Sequence, residues 1–203
     1  SAFSPMAIET LVNNFTMFRE PGQMFMAFLI PGLDGALEPG RRRINWLWYR
    51  NEPDSAAMRR HLTDTHGHLH HASVSPGHLS PESIEELSEL AAGCLPEVFQ
   101  QLVRETRAPF FQSIFDALSP GFAVGRIALV GDAACTVRPH TGSGTSKAAD
   151  DAVSLAEAFA DDANADISKT LESWASKRRS ALAHLLKRGP ELAASFGLGT
   201  LDE

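Results

Sequence analysis

The residues best suited to chemistry crowd into one stretch, "GRIALVGDAACTVRPHTGSGTSKAADDA", residues 125–152. An apolar run ends at Gly131-Asp132, a loop with Pro139, His140, Gly142 and Gly144 follows, and an alanine-rich helix begins near Thr145 and Ser146. A strand that feeds a glycine loop and then a helix can hold an anionic or polar group. The first amides of the helix have no partner inside it, and the helix dipole adds about half a positive charge there. Gly142 and Gly144 let a flat ligand approach the backbone with no Cβ in the way. Asp132, at a strand end, is placed to accept hydrogen bonds from ribose-like hydroxyls. His140 has the side chain type whose ordinary pKa of about 6.5 suits proton transfer. On the residues alone the stretch is either a ligand site or an ordinary tight connection, and His140 is either a proton-transfer group or a loop histidine bonded to the backbone.

Two phosphate motifs fail here. A P-loop needs G-x-x-x-x-G-K-[ST], whereas Lys147 follows Ser146 and precedes Ala148. A dinucleotide fingerprint needs G-x-G-x-x-G after a first strand, and "GSGTSK" has no third glycine. His66, His68, His70 and His71 are the other tempting group. Their segment is punctuated by Gly and Pro and lacks a supporting Cys or carboxylate pattern, so a solvated loop is expected and no metal site. Cys94 and Cys135 match no metal or redox spacing, and reduced thiols in a cytoplasmic protein are expected.

The elements that must position these residues follow from periodicity. "QMFMAFLI", residues 23–30, is a short apolar run between Pro-Gly pairs and predicts a strand. "RRRINWLWYR", residues 41–50, puts Ile44, Trp46 and Trp48 on one face, so a second strand should pair with the first as an antiparallel hairpin. The two tryptophans fit the packing of one sheet face better than a stack on substrate. Asp54 caps a short helix through residue 61, and Ser80-Pro81 starts another with Ile84, Leu87, Leu90 and Ala91 inward. Pro96 restarts the helical pattern with Val98, Phe99, Leu102 and Val103 inward. "APFFQSIFDAL" reads as a strand, as does "RIALVGDAA" up to Gly131. From about residue 145 the spacing of Ala148, Ala149, Ala152, Val153, Ala156 and Phe159 predicts a helix with that face buried. A last helix should run over residues 167–187, with Leu171, Trp174, Arg178, Leu182 and Leu185 on one side, and stop at Gly189-Pro190. The order indicates an α+β or mixed α/β fold.

Composition narrows the function classes. The chain has 203 residues, 43% of them hydrophobic, and a formal net charge of −7. An acidic balance argues against nucleic acid and anionic membranes as partners. No apolar run approaches the roughly 20 residues of a membrane span, and no signal peptide is visible.

The stretch "GRIALVGDAACTVRPHTGSGTSKAADDAVSLAEAF" resembles the second flavin-binding motif of the single-component FAD-dependent aromatic hydroxylases related to p-hydroxybenzoate hydroxylase. The matching residues are Gly131-Asp132-Ala133-Ala134, Pro139, Gly142-x-Gly144 and Asp151-Ala152-x-x-Leu155-Ala156. "RPHTGSGTSKAADDA" and the hairpin are similar to the branch that contains 2,6-dihydroxypyridine 3-hydroxylase. The resemblance implies a partial p-hydroxybenzoate-hydroxylase-like fold. Residues 1–120 would be the substrate-domain portion, with antiparallel strands. Residues 121–203 would be the C-terminal part of the FAD-binding domain, with its last strand and helices.

It also implies roles. Asp132 would bind the ribityl chain of FAD. Gly142 would belong to the G-x-G of the loop. Gly144, Thr145 and Ser146 would turn backbone amides toward the pyrimidine edge. Pro139 and His140 would line the flavin face where oxygen reacts and substrate lies, with His140 the catalytic candidate. NAD(P)H would reduce the flavin, and a small aromatic or N-heteroaromatic ring would be hydroxylated.

Cys135 stands where many members carry His, and a packing role is expected for it. The first half of the family's chain, with its G-x-G-x-x-G, is not found in these residues, so Ser1 reads as a fragment boundary. Little catalysis is expected from the chain by itself. The expected partners are a small aromatic substrate, and either another copy of the chain as a homo-oligomer or the missing N-terminal half. The alternative from another class is a non-catalytic association or small-molecule-binding module built on the same fold.

Overall fold

A computed structural model describes residues 3–160 and 166–199; Ser1, read above as a fragment boundary, lies outside them. The chain divides into two compact units, Ser1–Ser113 with Phe196–Glu203, and Ile114–Ser195.

The first unit opens with helix α1 (Pro5–Leu11), capped by the Ser4 hydroxyl, which accepts from the Ala7 amide. Strands β1 (Thr16–Glu20), β2 (Gln23–Ile30) and β3 (Arg43–Arg50) form an antiparallel sheet in that order. The expected hairpin is β2 with β3, in a register that sets Phe25 opposite Trp48 and Ala27 opposite Trp46. The 31–42 connection needs Gly32, because a Cβ there would lie 2.6 Å from the Arg41 carbonyl oxygen. Helix α2 (Ser55–His61) starts at Asp54, whose carboxylate accepts from the Ala56 amide. A two-residue strand β4 (Ser73–Val74) precedes helices α3 (Pro81–Cys94) and α4 (Glu97–Glu105). The Ser80 hydroxyl caps α3 by accepting from the Ser83 amide, as Ser-Pro predicts.

One face of the sheet and the two helices share a core of Phe25, Ala27, Ala91, Leu95, Phe99, Leu102 and Val103, with Trp46 and Trp48 against it. Phe25 is fully buried, stacked 5.3 Å from Trp46 and tilted 4.7 Å from Phe99. The tryptophan N–H groups are satisfied by Thr106 Oγ1 at 2.8 Å and Gln23 Oε1 at 3.1 Å. That is how two large amphipathic rings sit in a core. Ile84 departs from expectation: it is exposed, while Ser83 is buried through its bond to Ser80. "APFFQSIFDAL" yields only β5 (Phe111–Gln112), paired with β4, and β6 (Ala117–Leu118). Phe110, Ile114 and Phe115 are exposed, so the segment has no continuous strand neighbour among the described residues.

The second unit holds two short antiparallel pairs, β6 with β9 (Cys135–Thr136), and β7 (Ala123–Val124) with β8 (Ile127–Ala128). The run "RIALVGDAA" is thus extended over two paired residues only, and Ile127 and Val130 are exposed. A strand persists as far as its hydrogen-bonding neighbour does; past Ala128 the Leu129 amide still donates to the Phe122 carbonyl at 2.8 Å, but no ladder pairing follows it among the described residues. Helix α5 (Gly144–Ala158) and helix α6 (Ile167–Ser195) complete the unit, around Phe122, Ala134, Cys135, Val137, Trp174, Ala175 and Leu182.

Two helical expectations are overturned. The alanine face of α5 is mostly exposed, with Val153 at 58%, and the buried positions are Lys147 and Asp151. A charge cluster, described below, outweighs a methyl stripe too small to anchor the helix. Helix α6 also runs past Gly189-Pro190 to Ser195. Gly189 serves close approach rather than termination: its ideal Cβ would meet Arg138 Cγ at 3.0 Å. Pro190 removes one backbone donor without ending the helix.

No helix among the described residues is long and apolar enough to cross a membrane.

Candidate functional site

Within the second unit the loop residues are built up from three short devices. Gly131 starts a 3-10 turn (Gly131–Ala133) at φ +58, a left-handed conformation suited to glycine. Asp132 sits in that turn with 75% of its side chain exposed. Pro139 opens a second 3-10 turn (Pro139–Thr141), which Gly142 ends at φ +62 by donating its amide to the Pro139 carbonyl. A Cβ on Gly142 or on Gly144 would meet nothing within 4 Å, so the backbone there faces open space. Ser143 stands at the head of α5, and the first bond of the helix runs from the Lys147 amide to the Ser143 carbonyl at 2.8 Å. The amides of Gly144, Thr145 and Ser146 precede that bond and have no acceptor inside the helix. Asp132 and the amino end of α5 are brought together by Lys147, whose Nζ is 3.8 Å from Asp132 Oδ1.

His140 is half-buried in the same turn. Burial and the neighbouring Arg138 guanidinium push its pKa down, and the Asp116 carboxylate partly opposes them. The imidazole is therefore held toward its neutral form. Arg138 is itself fixed by Asp116, which accepts from the Arg138 amide and from Nε, each at 2.7 Å. Cys135 is fully buried, and burial pushes its thiol pKa up, which fits packing and not nucleophilic attack.

Sequence reasoning met Asp151 and Arg178 separately, and missed that their pairing holds this arrangement in place. The buried Asp151 accepts from the Gly131 amide at 2.8 Å through Oδ2, and from Arg178 Nε and Nη2 at 2.8 and 2.6 Å through Oδ1. One carboxylate thus ties the Gly131 turn, α5 and α6 together. The available signal was Arg178, a cation in the apolar stripe of the last helix; a buried arginine needs a buried acid.

The histidine-rich loop of the first unit gathers elsewhere. Asp64 Oδ1 accepts from the amides of His66 and His68, and Oδ2 bonds the His70 ring at 2.8 Å. These contacts hold the Asp64 carboxyl well below the usual carboxylate range. Among the described residues no group of His, Cys, Asp and Glu is disposed to hold a metal ion.

Comparison with known proteins bears on both units. Residues 1–116 match a family model described as FAD binding domain-like, and residues 116–188 match one described as FAD binding domain. The 2,6-dihydroxypyridine 3-monooxygenase of Paenarthrobacter nicotinovorans is 34% identical over 193 residues, covering 88% of this chain and 47% of that protein. The structure of 2,6-dihydroxypyridine-3-hydroxylase from Arthrobacter nicotinovorans superposes with a TM-score of 0.83 at 29% identity, over 100% of this chain and 50% of that one. Klebsiella pneumoniae HpxO, complexed with FAD and uric acid, gives 0.60 at 21% identity over 91% of this chain and 40% of that one, a likeness of fold. The chain spans about half the length of these relatives. Its fold is part of the p-hydroxybenzoate-hydroxylase type, and the chain belongs to the FAD binding domain-like family.

Proposed function

We propose that these residues are part of an FAD-dependent, NAD(P)H-using monooxygenase that hydroxylates a small aromatic or N-heteroaromatic ring. The observation that carries the reading is the exposed Asp132 carboxylate beside the open amino end of α5. That donor and acceptor set fits a flavin's polyol chain and pyrimidine edge. Asp132 accepts from ribityl hydroxyls, and the amides of Gly144, Thr145 and Ser146 donate to the pyrimidine oxygens. Gly142 and Gly144 keep the approach clear of side chains. The partial positive charge of the α5 amino end favours an anionic ring there. Bound FAD would supply the redox chemistry, taking reducing equivalents from NAD(P)H and activating O2.

Pro139 and His140 line the ring's reactive face in this reading. A neutral His140 is ready to accept a proton from an acidic ring hydroxyl, which makes the ring richer in electrons. In this reading residues 1–120, with the three-stranded sheet, are the substrate-domain portion, and residues 121–203 are the C-terminal part of the FAD-binding domain. The 203 residues carry no G-x-G-x-x-G, so the chain by itself is expected to turn over little.

The test is the flavin content of the purified full-length protein and its loss in Asp132→Ala. Stoichiometric FAD that weakens about tenfold or more in the variant supports the reading. Purification without flavin, and no FAD binding on titration, overturns it. Substrate-stimulated NAD(P)H oxidation by the full-length protein, lost in His140→Ala with FAD retained, supports the role of His140.

A further inference from the structure

Lys147 is the residue of the loop whose chemistry is least accounted for. Its side chain is fully buried, and its ammonium makes no hydrogen bond. Two carboxylates lie within ion-pair range but beyond hydrogen-bonding distance: Asp132 Oδ1 at 3.8 Å and Asp151 Oδ2 at 3.9 Å. Asp151 is already matched by two Arg178 hydrogen bonds and by the Gly131 amide. The carboxylate left for Lys147 to compensate is therefore Asp132. A buried ammonium short of hydrogen bonds is costly, and a methionine of similar length would fill the same volume. The charge has a use beyond packing.

We propose that Lys147 is a positioning residue. Its charge, from inside the unit, holds the Asp132 carboxylate beside the amino end of α5, in the orientation that receives the hydroxyls of a ribityl-type polyol. Lys147 does not touch the ligand; it acts through Asp132. The inference rests on the reading of Asp132 given above.

The experiment is a double-mutant cycle on FAD affinity in the full-length protein, with Lys147→Met, Asp132→Asn and the two combined. Lys147→Met should weaken FAD about tenfold in the wild-type background and less than about twofold when Asp132 is already Asn. Lys147→Arg should restore most of the loss. Equal effects of Lys147→Met in both backgrounds, or no effect in either, overturn the inference, because a merely structural lysine does not need Asp132 to be felt. If Asp132→Asn alone leaves FAD affinity unchanged, the reading of Asp132 falls first and this inference with it. Amide hydrogen exchange of the flavin-free protein gives a readout that needs no bound ligand. Lys147→Met should speed exchange at residues 131–134 about tenfold and leave residues 97–105 unchanged; unchanged exchange at 131–134 overturns the proposal.

Discussion

The two units hold their parts in place by opposite means. In the first, the sheet is set on α3 and α4 by aromatic packing around Phe25, with no buried ion pair in that core among the described residues. In the second, the Gly131 turn and α5 are tied to α6 through Asp151 and Arg178, with the Lys147 ammonium nearby, and the apolar cluster lies around Cys135 and Trp174. Packing is non-directional and tolerates volume-conserving change. A buried charge cluster is directional, and removing one member leaves the others uncompensated. The difference teaches that this chain uses burial where it needs stability and charge where it needs an atom placed.

Three measurements sharpen or break that contrast. Phe25→Ala should have the largest effect on stability, about 4 kcal/mol in chemical unfolding. It should cost amide protection in β2 and α4 and leave α5 protected. Asp151→Asn should follow at about 3 kcal/mol, with protection lost first at Gly131 and in α5. A loss under about 0.5 kcal/mol would mean that the cluster is not what holds the loop, and the contrast would fail.

The smallest effect is electrostatic. The folded protein holds His140 below the ordinary imidazole value of about 6.5, because burial and Arg138 disfavour its cation. As pH falls, the unfolded chain takes up this proton first. The group therefore withdraws stability between the ordinary value and the lower folded one. An NMR titration should put the His140 midpoint below the ordinary value, and Arg138→Met should raise it. A midpoint at or above the ordinary value contradicts the assigned cause.

What the sequence revealed divides along the same line. The β2–β3 hairpin, the Ser80 and Asp54 caps and the buried face of α4 were legible, because each depends on residues near one another in the chain. Gly131-Asp132 and Gly142-x-Gly144 were legible as a loop before a helix, for the same reason. The face of α5 was misread because alanine spacing counts apolar positions and cannot see that Arg178, on another helix, supplies the partner for Asp151. The stop expected at Gly189-Pro190 failed likewise: the space that Gly189 leaves is filled by Arg138, far away in sequence. Long-range pairings of polar groups decided both cases, and periodicity carries no record of them.

The chain's return to the first unit has a consequence for synthesis. Asn51 donates to the Gly197 carbonyl and accepts from the Gly199 amide, and a Cβ on Gly197 would lie 3.1 Å from the Gly22 nitrogen. Residues 114–195 leave the ribosome between the hairpin and the segment that clasps it. At translation rates of about 5–20 residues per second, the hairpin edge at Gly22 waits on the order of ten seconds for that clasp. During that interval the turn at Pro21-Gly22 lacks its native contact with Gly197, so this part of the first unit is completed only when the last residues of the chain arrive.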